Sequence, residues 1–375
     1  MSIIPIYKPY LHRYKTSAID AVNSEWVSNH GKYVQLATNE MKNILNAENL
    51  ILMANGTCAT HCLFLALKYK HPEIKKIYLP NNCYIAVYNC ALMEYSMEQL
   101  EIMEIDINSW NMNISEEYLI GLEHESCILI CHNMGGIINV EKIKKVRPDI
   151  ILIEDNCEGI FGKYTENGEE IYTGTSKNIL CSSLSFYGNK TITSGEGGGF
   201  LTSDVDVYNY IKKIYSQGMS NVRYVHDEHA YNYRMTNIES ALLYDQLKDI
   251  NHILELKENL FNNYNELLKN FISEGKIKLQ TCDSKRSNWM YAIRIMNNSS
   301  NINDIFNFFK ERNVEIRPFF YPFESHKHLK NIKYLGSSEI SNLLNKEIIM
   351  LPSYPELTKE QQEYIVYVIS LFLKN

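Results

Sequence analysis

From about residue 50 to residue 205, short apolar runs alternate with segments of helical period, and this alternation confines the chain to an α/β architecture built on a largely parallel sheet. Two parallel strands cannot be joined by a tight turn; each pair needs a crossover, which the helical segments supply. Candidate strands are 76–79, 101–105, 127–131, 150–154, 182–186 and 199–202, with helical patterns at 58–69, 85–94, 115–121 and 140–146 between most of them. Beyond Val205 the period is helical, over 208–217 and then 237–271, where breaks near 249–252 divide the run into two helices in series. Residues 276–375 read as strand, strand, helix, strand, helix, with Ile302, Ile305, Phe306 and Phe309 at periodic apolar positions. A chain of 375 residues exceeds one ordinary core. The expected organisation is a large domain, 1–250, with a mostly parallel mixed sheet flanked by helices and an N-terminal arm, and a smaller C-terminal α+β domain, 251–375.

Charge narrows the partners. The formal net charge is −7 and no dense Lys/Arg block stands out, which argues against a nucleic-acid surface while leaving room for a local basic pocket that takes an anionic small molecule. Pro5 and Pro9 interrupt the start before a signal-peptide core can form, and no segment approaches the roughly 20 apolar residues of a membrane span. A cytoplasmic protein without membrane partners is expected. The nine cysteines are scattered without a CxxC pair, and His30, His132, His226, His229, His326 and His328 lack metal-ligand spacing with nearby acids, so no metal site is expected.

Three segments carry chemistry. Asn55-Gly56-Thr57-Cys58-Ala59 is a small polar turn opening into an apolar helix; alone it reads most simply as an N-cap, and it equally suits a phosphate cradle at a helix start. Ile151-Leu152-Ile153-Glu154-Asp155 is an apolar strand ending in acids, at the end of a parallel strand where open α/β sheets bind ligands, with Glu158 three residues on. The third, Ser185 to Gly199, sets a lone Lys190 between a strand and a glycine-rich turn. Its glycines lack dinucleotide-binding spacing and no GKS or GKT follows, so neither a nicotinamide fold nor a Walker loop is supported. Lysine forms Schiff bases with carbonyl cofactors. Taken in order, the segments offer a phosphate cradle, an acid for a pyridine nitrogen and an amine for an aldehyde, the set that pyridoxal 5′-phosphate needs.

At this point the chain resembles the DegT/DnrJ/EryC1/StrS family of sugar-nucleotide aminotransferases, within fold-type I pyridoxal-phosphate enzymes. The supporting residues are IPIYKPYL near the start, SEWVSNHGKYV from Ser24, ANGTCATHCLFLAL from Ala54, YLPNNCYIA from Tyr78, IEDNCEGI from Ile153, SFYGNKTITSGEGG from Ser185, RYVHDEHAYNYRMTN from Arg223, IRPFFYPFESH from Ile316 and LPSYPELT from Leu351. The resemblance implies pyridoxal 5′-phosphate cycling through pyridoxamine 5′-phosphate. It implies Lys190 as the Schiff-base lysine, Asp155 as the pyridinium partner and Glu158 near the ring oxygen. Tyr84 is implied as the stacking aromatic, and Gly56, Thr57 and Ser185 as phosphate contacts. Asn232 matches an asparagine that reaches the neighbouring subunit's phosphate, which implies a homodimer with shared sites. Asn189, Arg317 and Tyr321 fall in segments resembling the sugar-nucleotide pocket. Leu36-Ala37 replaces the family's usual Phe-Glu pair, and 132–136 departs from its usual aromatic before glycine; neither touches a cofactor position. The implied reaction moves an amino group from L-glutamate to C4 of a nucleotide-linked 4-keto-6-deoxyhexose, with a GDP-linked sugar favoured over UDP or dTDP. A dehydratase on the same fold is the nearest rival; relatives of that kind tend to carry histidine at the lysine position.

Overall fold

The structure, a computed structural model, describes residues 3–298 and 300–374. Its centre is an eight-stranded sheet in the order Asn49–Met53, Gly198–Thr202, Cys181–Ser185, Ile151–Asp155, Ser126–Cys131, Lys76–Pro80, Leu100–Met103 and Lys333–Leu335. Only Gly198–Thr202 runs against the rest, antiparallel to both neighbours. All six expected strands are present, shifted by at most two residues. The parallel strands end along one edge, and register aligns Asp155 with Cys131 on one side and Ser183 on the other. That edge therefore collects the residues that follow Pro80, Cys131, Asp155 and Ser185.

Helix Gly56–Lys70 packs beneath the sheet, where every residue from Ala59 to Leu67 is buried. A helix apolar on all sides belongs inside a core. It is enclosed by strand Cys181–Ser185 and by helices Ala86–Glu94 and Val205–Ile214. Strand Gly198–Thr202 begins on glycine because a Cβ at Gly198 would lie 2.4 Å from the Asn55 carbonyl oxygen.

The rest of the chain builds a second core. Helix Ile250–Ser273 leads to a four-stranded sheet ordered Ile277–Lys278, Tyr291–Ile295, Ile348–Leu351, Arg317–Pro318, with helices Ile302–Lys310 and Lys359–Phe372 packed in the same core. Several segments cross between the cores, among them 281–287, where the Thr281 N–H donates to the Asn108 carbonyl at 3.0 Å and the Ser287 N–H to that of Gly135 at 2.9 Å. Ile4 is buried in the second, its N–H donating to the Asn313 carbonyl at 2.8 Å, and strand Lys333–Leu335 returns to pair with Leu100–Met103 at the edge of the first.

Several elements lie outside the expected set. Strand Asn49–Met53 is a short continuous apolar run that merges with the helix lead-in, so neither period exposes it. The hairpin Lys163–Glu166 and Glu169–Tyr172 is polar, and Lys333–Leu335 is three residues long. Helix Lys32–Leu45 did carry a signal, burying Tyr33, Ala37, Met41 and Leu45 at four-residue spacing. No helix among the described residues is long and apolar enough to cross a membrane.

Candidate active site

A cleft of about 560 Å³ opens where the strand ends meet the second core. Gly56 and Thr57 line it from the turn after strand Asn49–Met53, Tyr84 from the turn after Lys76–Pro80, Asp155 and Glu158 from the end of Ile151–Asp155 and the turn after it, Ser185, Asn189 and Lys190 from the glycine-rich segment, and Arg317 from the second sheet. Nine of the eleven expected site residues thus meet in one place. Tyr321 lies outside the lining and is 44% exposed. Asn232 is also outside, exposed on a segment bridged to Ser216.

The cradle forms where helix Gly56–Lys70 begins. Asn55 caps it, its side chain accepting from the Cys58 N–H at 2.9 Å, so the N-cap and cradle readings of this segment coexist. A Cβ on Gly56 would lie 2.8 Å from the Ser185 Cβ, which is why glycine stands there and why the helix start and the serine hydroxyl share one small volume. The positive end of the helix dipole beside Thr57 and Ser185 hydroxyls suits a phosphate.

Lys190 is held by its own loop. Its N–H donates to the Tyr187 carbonyl at 2.9 Å, and the turn folds back so that the Phe186 N–H meets the Gly197 carbonyl at 2.8 Å. Gly197, at φ +128°, takes a backbone conformation that a side chain would strain. The Lys190 ammonium lies 4.2 Å from the centroid of the Trp289 ring, and the Trp289 Nε1–H donates to the Asn189 carbonyl at 2.9 Å. Trp289 thus places a π-face against the amine and pins the loop carrying it. It comes from the segment leading into strand Tyr291–Ile295, 99 positions on, and carries no motif; its rarity, one of three tryptophans, is the one signal the sequence offers.

The acids differ in their environments. Asp155 accepts on Oδ1 from the Cys157 N–H at 3.0 Å and the Ser183 hydroxyl at 3.4 Å, and Oδ2 has no protein donor among the described residues. One oxygen fixes the carboxylate and the other is available to a protonated ring nitrogen. Glu158 is buried and accepts from the Met134 N–H at 2.9 Å. Burial pushes its carboxyl up to about 7, against the pull of Lys190 and with a smaller push from Asp155.

Beneath the strand sits a pair that sequence reasoning missed. Glu154 points to the opposite face from Asp155, as alternation requires, and is wholly buried against His132. The Ile138 N–H donates to His132 Nδ1 at 3.1 Å, which leaves Nε2 to carry the proton and donate to Glu154. The Asn133 side chain donates to the Asn82 carbonyl at 2.8 Å and to that of Trp110 at 3.0 Å. The loop supplying the Met134 N–H to Glu158 is therefore anchored on both sides.

At the mouth, Tyr84 is 60% exposed, its ring 6.3 Å from that of Phe320. Arg317 is half-buried, 3.8 Å from Glu315, with its guanidinium 5.3 Å from the Tyr7 ring. So exposed and long a pair stabilises little, and the guanidinium is available to a ligand.

The residues fit pyridoxal phosphate: a phosphate cradle closed by a required glycine, a fixed carboxylate with one open oxygen, an amine and an aromatic ring share one cleft. Comparison with known proteins agrees. The model of the DegT/DnrJ/EryC1/StrS aminotransferase family matches residues 12–370. GDP-perosamine synthase of Escherichia coli O157:H7 is 30% identical over 379 residues, covering 100% of both chains. A Helicobacter pylori aminotransferase involved in the biosynthesis of pseudoaminic acid superposes with a TM-score of 0.87 at 19% identity, covering 100% of both chains. Escherichia coli GDP-4-keto-6-deoxy-D-mannose-3-dehydratase with bound hydrated pyridoxal phosphate gives 0.86 at 19% identity, covering 98% of this chain and 100% of the other. The chain therefore belongs to the DegT/DnrJ/EryC1/StrS aminotransferase family, whose cofactor is pyridoxal 5′-phosphate.

Proposed function

We propose that the protein transfers the amino group of L-glutamate to C4 of a nucleotide-linked 4-keto-6-deoxyhexose, with GDP-4-keto-6-deoxymannose as acceptor and GDP-perosamine as product. The observation that carries the reading is the position of Lys190, an amine facing the cleft that also holds Asp155 and the phosphate cradle. Bound pyridoxal phosphate supplies an electron sink for the charge that develops at the carbon bearing the amino group. Asp155, its Oδ1 fixed by the Cys157 N–H, would keep the ring nitrogen protonated through Oδ2. Lys190 Nζ takes the proton from the α-carbon of glutamate and returns it on the other side of the transfer, then runs the same shift in reverse for the sugar ketone. The Trp289 face stabilises the amine while it carries that proton. Arg317 pairs with the diphosphate of the sugar nucleotide, and Asn189 and Tyr321 complete the sugar pocket. Asn232, exposed and outside its own cleft, serves the phosphate of a second copy in a homodimer.

The GDP-perosamine synthase relative, matched over the whole chain, supports the GDP and C4 assignments, whereas a GDP-4-keto-6-deoxy-D-mannose 3-dehydratase matches 54% of the chain at 26% identity. A lysine also favours amination, because a dehydratase must keep a persistent imine from capture by an amine. Borohydride should fix the cofactor to the protein, and mass spectrometry should find it on Lys190. Turnover with glutamate should be fastest on the GDP-linked 4-keto sugar when GDP-, UDP- and dTDP-linked forms are compared. Attachment at another lysine overturns the site assignment; inert 4-keto sugars alongside a reactive 3-keto sugar overturn the regiochemistry; loss of the C3 hydroxyl without amine transfer selects the dehydratase.

A further inference from the structure

Behind the loop that carries Lys190 lies a second cleft of about 630 Å³, bounded by helix Ile250–Ser273, the hairpin 163–172 and the segment 279–292. Its charged lining is lopsided: Lys163, Lys257, Lys285 and Arg286 against Glu255 and Glu258. In a chain whose net charge is −7, a surplus of cations in one concavity is a local inversion.

Two of these cations are uncompensated. Lys257 is 3% exposed; its ammonium donates to the carbonyls of Trp289, at 2.8 Å, and Ser353, and meets no carboxylate among the described residues. Arg286 uses only Nη2, donating to the Met134 carbonyl at 3.0 Å and to Gln280 Oε1 at 3.1 Å. Its Nε is sealed from solvent without a partner. The Phe261 ring lies by both, 5.7 Å from the Lys257 ammonium and 5.3 Å from the Arg286 guanidinium. Thr191, next to Lys190, also lines the cleft, and its buried hydroxyl lacks a partner. Burial pushes Lys257 down to about 7 and Arg286 down as well, the direction expected of cations that have lost water without gaining a counter-charge. Glu255 and Glu258 are exposed and leave that deficit in place. Neither cation has a counter-charge among the described residues, and the Arg286 Nε and Thr191 hydroxyl beside them lack hydrogen-bond partners, which makes the site one member short.

We infer that this cleft is a second binding site, separate from the cofactor cleft, for a small phosphate-bearing ligand whose oxygens pair with Arg286 and Lys257 and whose approach is guided by Lys163 and Lys285. A guanidinium beside an ammonium is a complement for a phosphate group, and the aromatic wall of Phe261 and Tyr291 accommodates an attached ring. The inference does not depend on which sugar nucleotide the first cleft takes.

Calorimetric titration of cofactor-loaded enzyme with pyrophosphate tests it, because the loaded cofactor already fills the cradle at Gly56 and Ser185. Saturable binding is expected. Arg286→Gln should weaken it by about tenfold or more, the scale of one charge-assisted hydrogen bond, while Arg317→Gln, in the other cleft, should leave it in place. The pair Lys163→Ala with Lys285→Ala, the first half-buried and the second exposed, should weaken it several-fold without disturbing the fold, which keeps the test decisive if Arg286→Gln does not fold. No saturable binding overturns the inference, and so does binding that survives the lysine pair and disappears with Arg317→Gln.

Discussion

Glu154 and Asp155 are neighbours on one strand, and the two faces they occupy are built on opposite principles. Below, Glu154 faces His132, each wholly buried against the other. Above, among the described residues, Asp155 keeps an oxygen without a protein donor, Glu158 is buried with a carboxyl pushed up, and Lys190 rests on an aromatic ring rather than on a carboxylate. The lower face pairs one Glu154 oxygen with His132 from within the chain and leaves the other buried without a partner; the upper face keeps its unpaired groups at a cleft. Two acids of similar chemistry, adjacent in sequence, therefore meet different surroundings because alternation sends them to opposite faces.

Substitutions can break that contrast. The largest effect is expected above: Lys190→Ala should lower amino transfer by about 10²–10⁴-fold, the contribution of a positioned proton carrier, with the fold unchanged by circular dichroism. Below, His132→Leu should lower stability by about 3–5 kcal/mol in urea unfolding, because it leaves Glu154 buried and unpaired. Adding Glu154→Leu should recover most of that loss, and a double variant as unstable as the single would show the pair is not a unit. Glu158 lies between the two kinds. Its folded carboxyl holds its proton up to about 7 while the unfolded one releases it near the usual 4.5, so the folded state binds more protons across that window. Stability of the cofactor-free protein should fall as pH rises from about 5 to 8, by no more than about 3 kcal/mol, and Glu158→Gln should flatten the slope. The smallest effect is set for Trp289→Leu, which removes the π-face and the hydrogen bond to the Asn189 carbonyl; amino transfer should drop about tenfold or less.

Much of the upper face was legible in sequence because its residues sit at strand ends inside compact segments. The run ending at Asp155, the turn at Gly56 and the loop of Lys190 each announce themselves within a dozen residues, and parallel register then brings them together. What escaped depends on distant backbone. Trp289 serves through the Asn189 carbonyl, and Lys257 through the carbonyls of Trp289 and Ser353, partners that any residue supplies and no motif records. His132 looked solitary because Glu154, 22 positions on, becomes its neighbour only when strands Ser126–Cys131 and Ile151–Asp155 pair. Strand Lys333–Leu335 was hidden by its length, since three residues show no period.

That short strand and the buried Ile4 lace each core to the other. A chain cut after the large domain would leave Leu100–Met103 as a bare sheet edge, open to pairing with other chains, and the second core would lack the side chain of Ile4. Any displacement of the second core relative to the first must therefore also move these straps, at 4–6 and 333–335.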